Sequence, residues 1–167
     1  MADNDNDEKV VKLGKKSKAK STVFQEKWGH DVARFRFTMV PSLLLKAQAR
    51  LGLKPTHLAI IIQILEHWWE ADRKAWPSKE LLANKLGIHP RNVQRAIADM
   101  EKRGYIERKQ RYWPSGGKAS NEYDFSGLVR ALKKIAPDFQ KAEDEAKAKK
   151  EAVVRRGYRV RASGASK

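Results

Sequence analysis

Cysteine is absent from this chain of 167 residues. That absence excludes disulfide bonds, thiolate nucleophiles and zinc sites ligated by cysteine. Long apolar runs are absent as well, because no stretch approaches the roughly 18 apolar residues that a membrane-spanning helix requires. The opening residues, MADNDNDEKVVKLGKK, also lack the apolar segment of a secretory signal peptide. We therefore expect a cytoplasmic protein that has no membrane partner.

Acidic residues are outnumbered, since 20 Asp and Glu stand against 36 Lys and Arg, for a formal net charge of +16. Such a field attracts polyanions by counterion release, so charge alone leaves DNA, RNA and acidic membranes as partners. The 41% hydrophobic content suffices for one moderate core. We expect one principal domain over residues 34–136. It would lie between a disordered or loosely ordered basic arm, residues 1–33, and a charged C-terminal tail rich in helix formers, residues 137–167.

Metal-ligand and phosphate-loop patterns are missing too. His57 and His67 share a predicted helix, but their separation of ten residues spans roughly 15 Å, too far for one metal ion. No GK[ST] segment follows the Gly116 and Gly117 pair, so these glycines do not form a phosphate-binding loop. Two groups of carboxylates, Asp99 with Glu101 and Glu143 to Glu145, lie on predicted helices dense in lysine and arginine. Solvated ion pairs explain both groups. We therefore predict no metal, no cofactor and no enzymatic activity.

The most specific pattern lies in the segment LLANKLGIHPRNVQRAIADM. Ala83, Gly87 and Val93 have the spacing of two helices joined by a tight turn. Ala83 is small at the point where the second helix crosses the first. Gly87 turns the chain with positive φ, and Val93 fills the junction between the helices. Pro90 suits the first turn of the second helix, although His89 is a weaker N-cap than Ser, Thr, Asn or Asp.

The second of these helices has two contrasting faces. Its apolar residues recur at i, i+3, i+4 and i+7, which places the stripe of Val93, Ala96, Ile97 and Met100 inward. The other face carries long, donor-rich side chains of the types that reach guanine and adenine edges in the major groove. These candidate base-reading residues are Arg91, Asn92, Gln94 and Arg95. A solvated face without a partner is the alternative, and the preceding turn favours base recognition over it.

Alternating polarity predicts three strands, over residues 34–40 (RFRFTMV), 105–111 (YIERKQR) and 120–125 (SNEYDF). The PSGG segment between the last two predicts a hairpin. Basic side chains on or beside this hairpin are Arg108, Lys109, Arg111 and Lys118. A projecting basic hairpin is suited to contact phosphates or enter a minor groove, and protection of an exposed sheet edge by charge is the alternative.

Three further helices follow from apolar periodicity. Ser42 is expected to cap a short helix, and Thr56 to cap the main apolar helix. The core-facing residues of that main helix are predicted to be Leu58, Ile61, Ile62, Leu65, Trp68 and Trp69. Ile60 and Ile64 form a second apolar stripe, which either packs on the short helix or meets a second subunit. The last amphipathic helix is expected to stop before Pro137.

Between residues 76 and 125 the pieces LA..LG, R.VQR.I..ME.RGYIE and SNEYDF occur in this order. This central third of the chain resembles the winged helix-turn-helix domains of bacterial, phage and plasmid DNA-binding proteins. The resemblance implies a mainly α fold with a small β-hairpin, the wing, to which the patterns above add an N-terminal strand and a short helix. It also implies binding of double-stranded DNA, with the helix over residues 90–103 in the major groove.

The same resemblance implies phosphate contacts at both ends of the motif, by Ser78 and Lys79 at the start of its first helix and by Lys102 and Arg103 at the end of its second. A sequence-specific transcriptional regulator in the cytoplasm, associated with the nucleoid through DNA, is the leading expectation. Initiation of plasmid or phage replication is the first alternative. A general RNA-binding protein and a protein-interaction module rank lower. A homodimer is left open, because such proteins often bind two-fold sites but no heptad seam is visible.

Overall fold

The structure is a computed structural model that describes residues 23–70, 73–155 and 157. It divides into two compact units, Met1–Phe37 and Thr38–Lys167. Within the described residues, no helix combines the length and the apolar character needed to cross a membrane. The two units are taken separately below.

The first unit contains two short helices, α1 (Val23–Trp28) and α2 (His30–Ala33). The Phe24 and Phe37 rings lie against each other with a centroid distance of 5.3 Å. These helices occupy the end of the arm that the sequence predicts to be disordered or loosely ordered over residues 1–33. The first 22 residues of that arm lie outside the described part of the chain.

The strand predicted over residues 34–40 is wrong. The Arg34 N–H donates to the His30 carbonyl at 3.2 Å, so the chain is still in a helical turn there. Arg36 then has a φ of 72°, in the left-handed region rather than the extended one. A strand also needs a neighbour for its backbone groups, and no strand of the described chain pairs with this segment. Alternating polarity was therefore not sufficient to make a strand.

In its described residues, the second unit contains five helices and one hairpin. Its elements are α3 (Ser42–Lys46), α4 (Pro55–Leu65), α5 (Lys79–Leu86), α6 (Pro90–Lys102), β1 (Glu107–Lys109), β2 (Glu122–Asp124) and α7 (Ser126–Val154). The two strands are antiparallel, with Arg108 opposite Tyr123. The Tyr123 N–H donates to the Ala75 carbonyl at 2.8 Å, which joins the chain before α5 to the hairpin. The predicted class, mainly α with a small hairpin, is confirmed.

Helix α4 lies at the centre of the core, but its buried face matches the prediction only at Ile61. Ile60, Ile61 and Ile64 are fully buried. The predicted inward residues Leu58, Ile62 and Leu65 are only half-buried. The supposed second stripe therefore packs inside this chain, in one cluster with buried residues of the α3 region, and is not available to a second subunit. The helix is apolar on nearly every side, so periodicity did not identify its most buried face.

Both ends of α4 differ from the prediction by a few residues. Pro55, rather than a residue after Thr56, is its first helical residue, because proline is preorganised for that position. The helix ends at Leu65, so the two predicted core tryptophans follow it. Trp68 is half-buried against the Phe125 ring at 6.0 Å between centroids. Trp69, also predicted to face the core, is instead 43% exposed. At the start of α3, Ser42 is helical and makes no capping hydrogen bond through its side chain.

Helix α7 continues through Pro137, where the sequence predicts a stop. Proline removes one helical hydrogen bond and crowds the carbonyl four residues earlier. The next turn is nevertheless attached to the domain, since Phe139 is half-buried against the core and Arg50 lies 5.9 Å from its ring centroid. Arg50 also pairs with Asp138 at 2.5 Å. From residue 141 to 151 every side chain is exposed, as the scarcity of apolar residues predicts.

The start of α7 packs closely on the turn that follows α6. A Cβ added to Gly127 would lie 1.8 Å from the Gly104 carbonyl oxygen and 2.9 Å from its carbonyl carbon. The next residue, Leu128, donates its N–H to the Tyr105 carbonyl at 3.0 Å. No side chain larger than hydrogen fits at Gly127 without moving backbone atoms.

Replacing Gly127 by alanine should destabilise the fold by about 3 kcal/mol or more, because the clash is with backbone rather than with a flexible side chain. Urea unfolding followed by circular dichroism would measure the loss. Gly117→Ala is the matched control, since its added Cβ meets only Trp113 Cδ1 at 3.7 Å. Equal stability of the two variants would contradict this packing.

Asp124 caps the start of α7 with its side chain. Its Oδ1 accepts hydrogen bonds from the Ser126 N–H at 2.8 Å and from the Ser126 hydroxyl at 2.5 Å. Its Oδ2 pairs with Lys74, which precedes the bridge at Ala75. The hydrogen bond from Lys74, followed by those from Ser126, holds the pKa of this carboxyl far below its usual value. The charged carboxylate therefore joins three segments of the domain.

Replacing Asp124 by alanine should cost roughly 1–3 kcal/mol at neutral pH, because charge-assisted hydrogen bonds are lost. A carboxyl whose pKa is lowered by folding stabilises the protein above its unfolded pKa and loses that contribution as the pH falls. The difference from wild type should therefore shrink below about pH 4. Urea unfolding at several pH values tests this, with exposed Glu145→Ala as the control of equal charge change. A difference that stays constant down to pH 2 would contradict the ionic role.

Candidate nucleic-acid interface

The turn between α5 and α6 has the predicted geometry. Ser78 caps α5 by accepting the Leu81 N–H on its hydroxyl at 3.0 Å. Gly87 ends the helix with φ 62° and ψ 32°, a left-handed conformation that glycine adopts without steric cost. Ala83 and Val93 are both buried at the crossing of the two helices. The packing inferred from their spacing is confirmed.

Helix α6 begins at Pro90, as predicted. His89 is its N-cap, and its Nδ1 accepts the Arg91 N–H at 3.1 Å. The imidazole thus satisfies one of the free amides of the first turn, as a Ser or Asp cap would. The inward stripe is as expected, since Val93, Ala96, Ile97 and Met100 are all buried. Contacts with α4 and α5 hold this face in place.

The outer face of α6 is exposed along the first two turns of the helix. All four candidate base-reading residues, Arg91, Asn92, Gln94 and Arg95, are exposed. Their side chains form no hydrogen bond or ion pair with the rest of the described chain. This outer face is therefore accessible along the first two turns of the helix.

The last turn of α6 differs, because most of its charges are paired. Arg103 Nε donates to Asp99 Oδ2 at 3.2 Å, and its guanidinium lies beside Gly52. Lys102 is exposed and has no ionic partner among the described residues. Of the two phosphate contacts predicted here, one side chain is free and the other is held by a surface ion pair. Such pairs contribute little and exchange readily.

A buried histidine lies beneath this face. His57 Nδ1 accepts the Lys54 N–H at 3.2 Å, which caps α4, and its Nε2 lies 3.4 Å from Asp99 Oδ2. Burial lowers the pKa of His57, which keeps the ring neutral and Nδ1 able to accept at neutral pH. Both ring nitrogens of His57 therefore have partners within the fold. No group of three or more potential metal ligands occurs in the described part of the chain.

The wing, residues 107–124, is attached to α6 through Arg108. Its Nε and Nη2 donate to the two Glu101 carboxylate oxygens at 2.8 and 2.5 Å. Its backbone N–H also donates to Glu101 Oε1 at 3.2 Å. The hydrogen bonds that the guanidinium donates to this carboxylate raise the pKa of Arg108. This residue, expected to contact DNA, instead has its guanidinium occupied within the fold.

The other cationic side chains of the wing differ in their exposure and in their partners. Arg111 is half-buried, with its guanidinium 4.7 Å from the Trp76 ring centroid. Lys109 is exposed and pairs loosely with Glu107 at 3.6 Å. Lys118 is exposed without an ionic partner among the described residues. With Ser78 and Lys79 it lines a groove of about 370 Å³ between the wing and the start of α5.

The sequence analysis did not single out two exposed aromatic side chains of the wing. Tyr112 and Trp113, at its tip, are 62% and 59% exposed. The signal was present, since two adjacent aromatics directly precede the turn-forming PSGG segment.

Helix α5, the turn at Gly87, helix α6 and the hairpin together define a winged helix-turn-helix domain. Residues 51–106 match the family model described as helix-turn-helix domain. The match covers α5, the turn at Gly87 and α6.

Two solved structures are similar to the chain. A possible transcriptional regulator from Methanosarcina mazei Go1 has 20% identity and a TM-score of 0.40, over 61% of this chain and 82% of that one. The crystal structure of MarR has 18% identity and a TM-score of 0.37, over 62% of this chain and 66% of that one. No curated protein sequence gives a significant match.

Replacing Glu101 by alanine should destabilise the domain by roughly 1–3 kcal/mol, because the half-buried Arg108 loses its partner. The amide protection of β1 should fall with it, since the carboxylate also accepts the Arg108 N–H. Urea unfolding and hydrogen exchange would measure the two effects. Glu107→Ala removes the same charge from an exposed site and should change stability by less than about 0.5 kcal/mol. Unchanged protection of β1 would show that the pair does not hold the wing.

Proposed function

We propose that this chain binds double-stranded DNA sequence-specifically, with α6 in the major groove. The observation that carries the proposal is the contrast between the two faces of α6. One face is fully buried, which holds the helix rigidly. The other presents Arg91, Asn92, Gln94 and Arg95, all exposed and unpartnered within the described chain. Their guanidinium and amide groups match the acceptor and donor pattern of base edges in the major groove.

Phosphate contacts would orient this helix from both sides. The start of α5 offers backbone amides and the positive end of the helix dipole, beside Ser78 and Lys79. Lys118 lies across the groove from them on the wing. Lys109 and Lys102 extend the positive surface on the wing and at the end of α6. Such contacts supply affinity and register but little sequence information.

Three further arginines are already engaged in contacts within the fold. Arg103 and Arg111 make exposed or half-buried contacts, with Asp99 and Trp76, that can be exchanged for phosphate. Arg108 is a positioning residue, because its guanidinium holds the wing against α6 through Glu101 rather than reaching DNA.

We propose transcriptional regulation as the biological setting, because it is the commonest use of this kind of domain. Selection of bound duplexes from a random pool, at a stated salt concentration, tests the DNA-binding proposal first. Two-fold symmetry in the selected sequences would indicate a homodimer. Footprints over iterated origin repeats, rather than promoters, would indicate replication initiation. Absence of any preference among duplexes would contradict the proposal and favour RNA or a protein as partner.

Replacing Arg95 by alanine should weaken binding to the selected sequence by about 1–3 kcal/mol and relax the preference at one base pair. Binding to random duplex should fall much less. Affinities on both duplexes at matched salt would measure the difference.

The matched variant is Arg95→Lys, which keeps the charge but loses the planar fork that makes two hydrogen bonds to guanine. It should relax specificity nearly as much as Arg95→Ala while retaining more affinity for random DNA. Equal losses on selected and random duplexes would instead make Arg95 a phosphate contact.

A further inference from the structure

The wing tip, residues 112–117, carries two large aromatic rings in solvent. Tyr112 and Trp113 are 62% and 59% exposed. Neither belongs to the core cluster or to the half-buried residues packed against it. The fold therefore does not use these rings for its own core packing.

The backbone beneath the rings is closely hydrogen-bonded. The Trp113 N–H donates to the Gly117 carbonyl at 2.7 Å, and the Gly116 N–H donates back to the Trp113 carbonyl at 2.8 Å. Tyr112 bridges to Lys118 across the hairpin. The ring-bearing residues therefore sit on a preorganised turn, which lowers the entropy lost when they bind a partner.

A second layer of hydrogen bonds holds the base of the tip. The Gln110 side-chain amide donates to the carbonyls of Arg111 and Ala119 at 2.8 and 3.0 Å. The Ala119 N–H donates to the Arg111 carbonyl at 2.9 Å. Both sides of the hairpin are thus fixed directly below the two aromatics.

The surroundings of the rings are positive and sterically open. Arg111 precedes the pair, and Lys118 lies opposite Tyr112. Gly116 and Gly117 bear no side chains, which leaves the turn accessible to a bulky neighbour. Carboxylates are absent from residues 110–120. Flat apolar rings among cations on a rigid turn match a partner that has flat bases joined by phosphates.

We propose that the wing tip is a base-stacking platform, in which Tyr112 and Trp113 lie against exposed base faces beside the sequence read by α6. The location beside α6 rests on the proposed function, whereas the stacking chemistry does not. The base faces come from one of two sources, unpaired nucleotides or a duplex step that the rings open as a wedge.

The experiment compares the full chain with Tyr112→Leu and Trp113→Leu, which stay apolar but lose the aromatic face. Tyr112→Phe and Trp113→Phe are the matched controls that keep a ring. The first probe is the selected duplex with two unpaired adenines at each flank. The second is the same duplex with abasic sites in place of those adenines, so that the phosphates stay and only the bases are removed.

Wild type should prefer the adenine probe over the abasic probe by roughly tenfold or more. The leucine variants should lose most of this preference and the phenylalanine variants should keep it. Leucine variants that retain the full preference, or a wild type without one, would overturn the proposal. Thermal melting should be unchanged in all four variants because the rings are exposed.

A fully paired duplex with 2-aminopurine at the flanks identifies the source of the bases. A fluorescence rise with wild type, absent in the leucine variants, would support a wedge that opens the duplex. No rise, with the adenine preference intact, would support unpaired nucleotides.

Binding to an oligo-dA single strand distinguishes failure of the proposed duplex binding from failure of the base-stacking platform. If wild type selects no duplex, the proposed function fails, but loss of single-strand affinity in the leucine variants alone would still support the platform. If the selected duplex is bound and every variant binds all probes equally, only the platform fails.

Discussion

The architecture depends on the burial of one face of α6 under α4 and α5. Val93, Ile97 and Met100 are fully enclosed there, and Ala83 leaves the space in which the helices cross. Each buried apolar side chain of this size contributes roughly 1.5–3 kcal/mol, so rotating the helix would expose several at once. The core therefore fixes the direction in which the outer face of α6 points, and with it the position of the polar residues on that face.

The wing and α7 are placed by contacts made at the end of α6. Glu101 holds the wing through Arg108, and the turn at Gly104 receives Gly127 of α7 without space for a Cβ. Asp124 adds a third connection, from the end of the wing to Lys74 and the start of α7. The proposed binding surface therefore lies on a helix and a hairpin that these contacts hold together.

The elements that sequence reasoning placed correctly are those in which local sterics dominate. The turn at Gly87, the cap at Ser78 and the first-turn Pro90 each follow from neighbours a few residues away. The failures involve distant partners. Residues 34–40 alternate in polarity but have no described strand to pair with. Helix α7 passes Pro137, and the residues just beyond the proline contact Arg50, which is distant in sequence.

The candidate site divides in the same way. The sequence by itself determined the fold class, the two faces of α6 and the positive charge, because helical periodicity and composition need no tertiary information. Only the tertiary structure decided that Arg108 is held by Glu101, whereas Lys118 has no ionic partner among the described residues. It also decided that Tyr112 and Trp113 face solvent. Charge and ring types are properties of residues, whereas pairing and exposure depend on which segments the fold brings together.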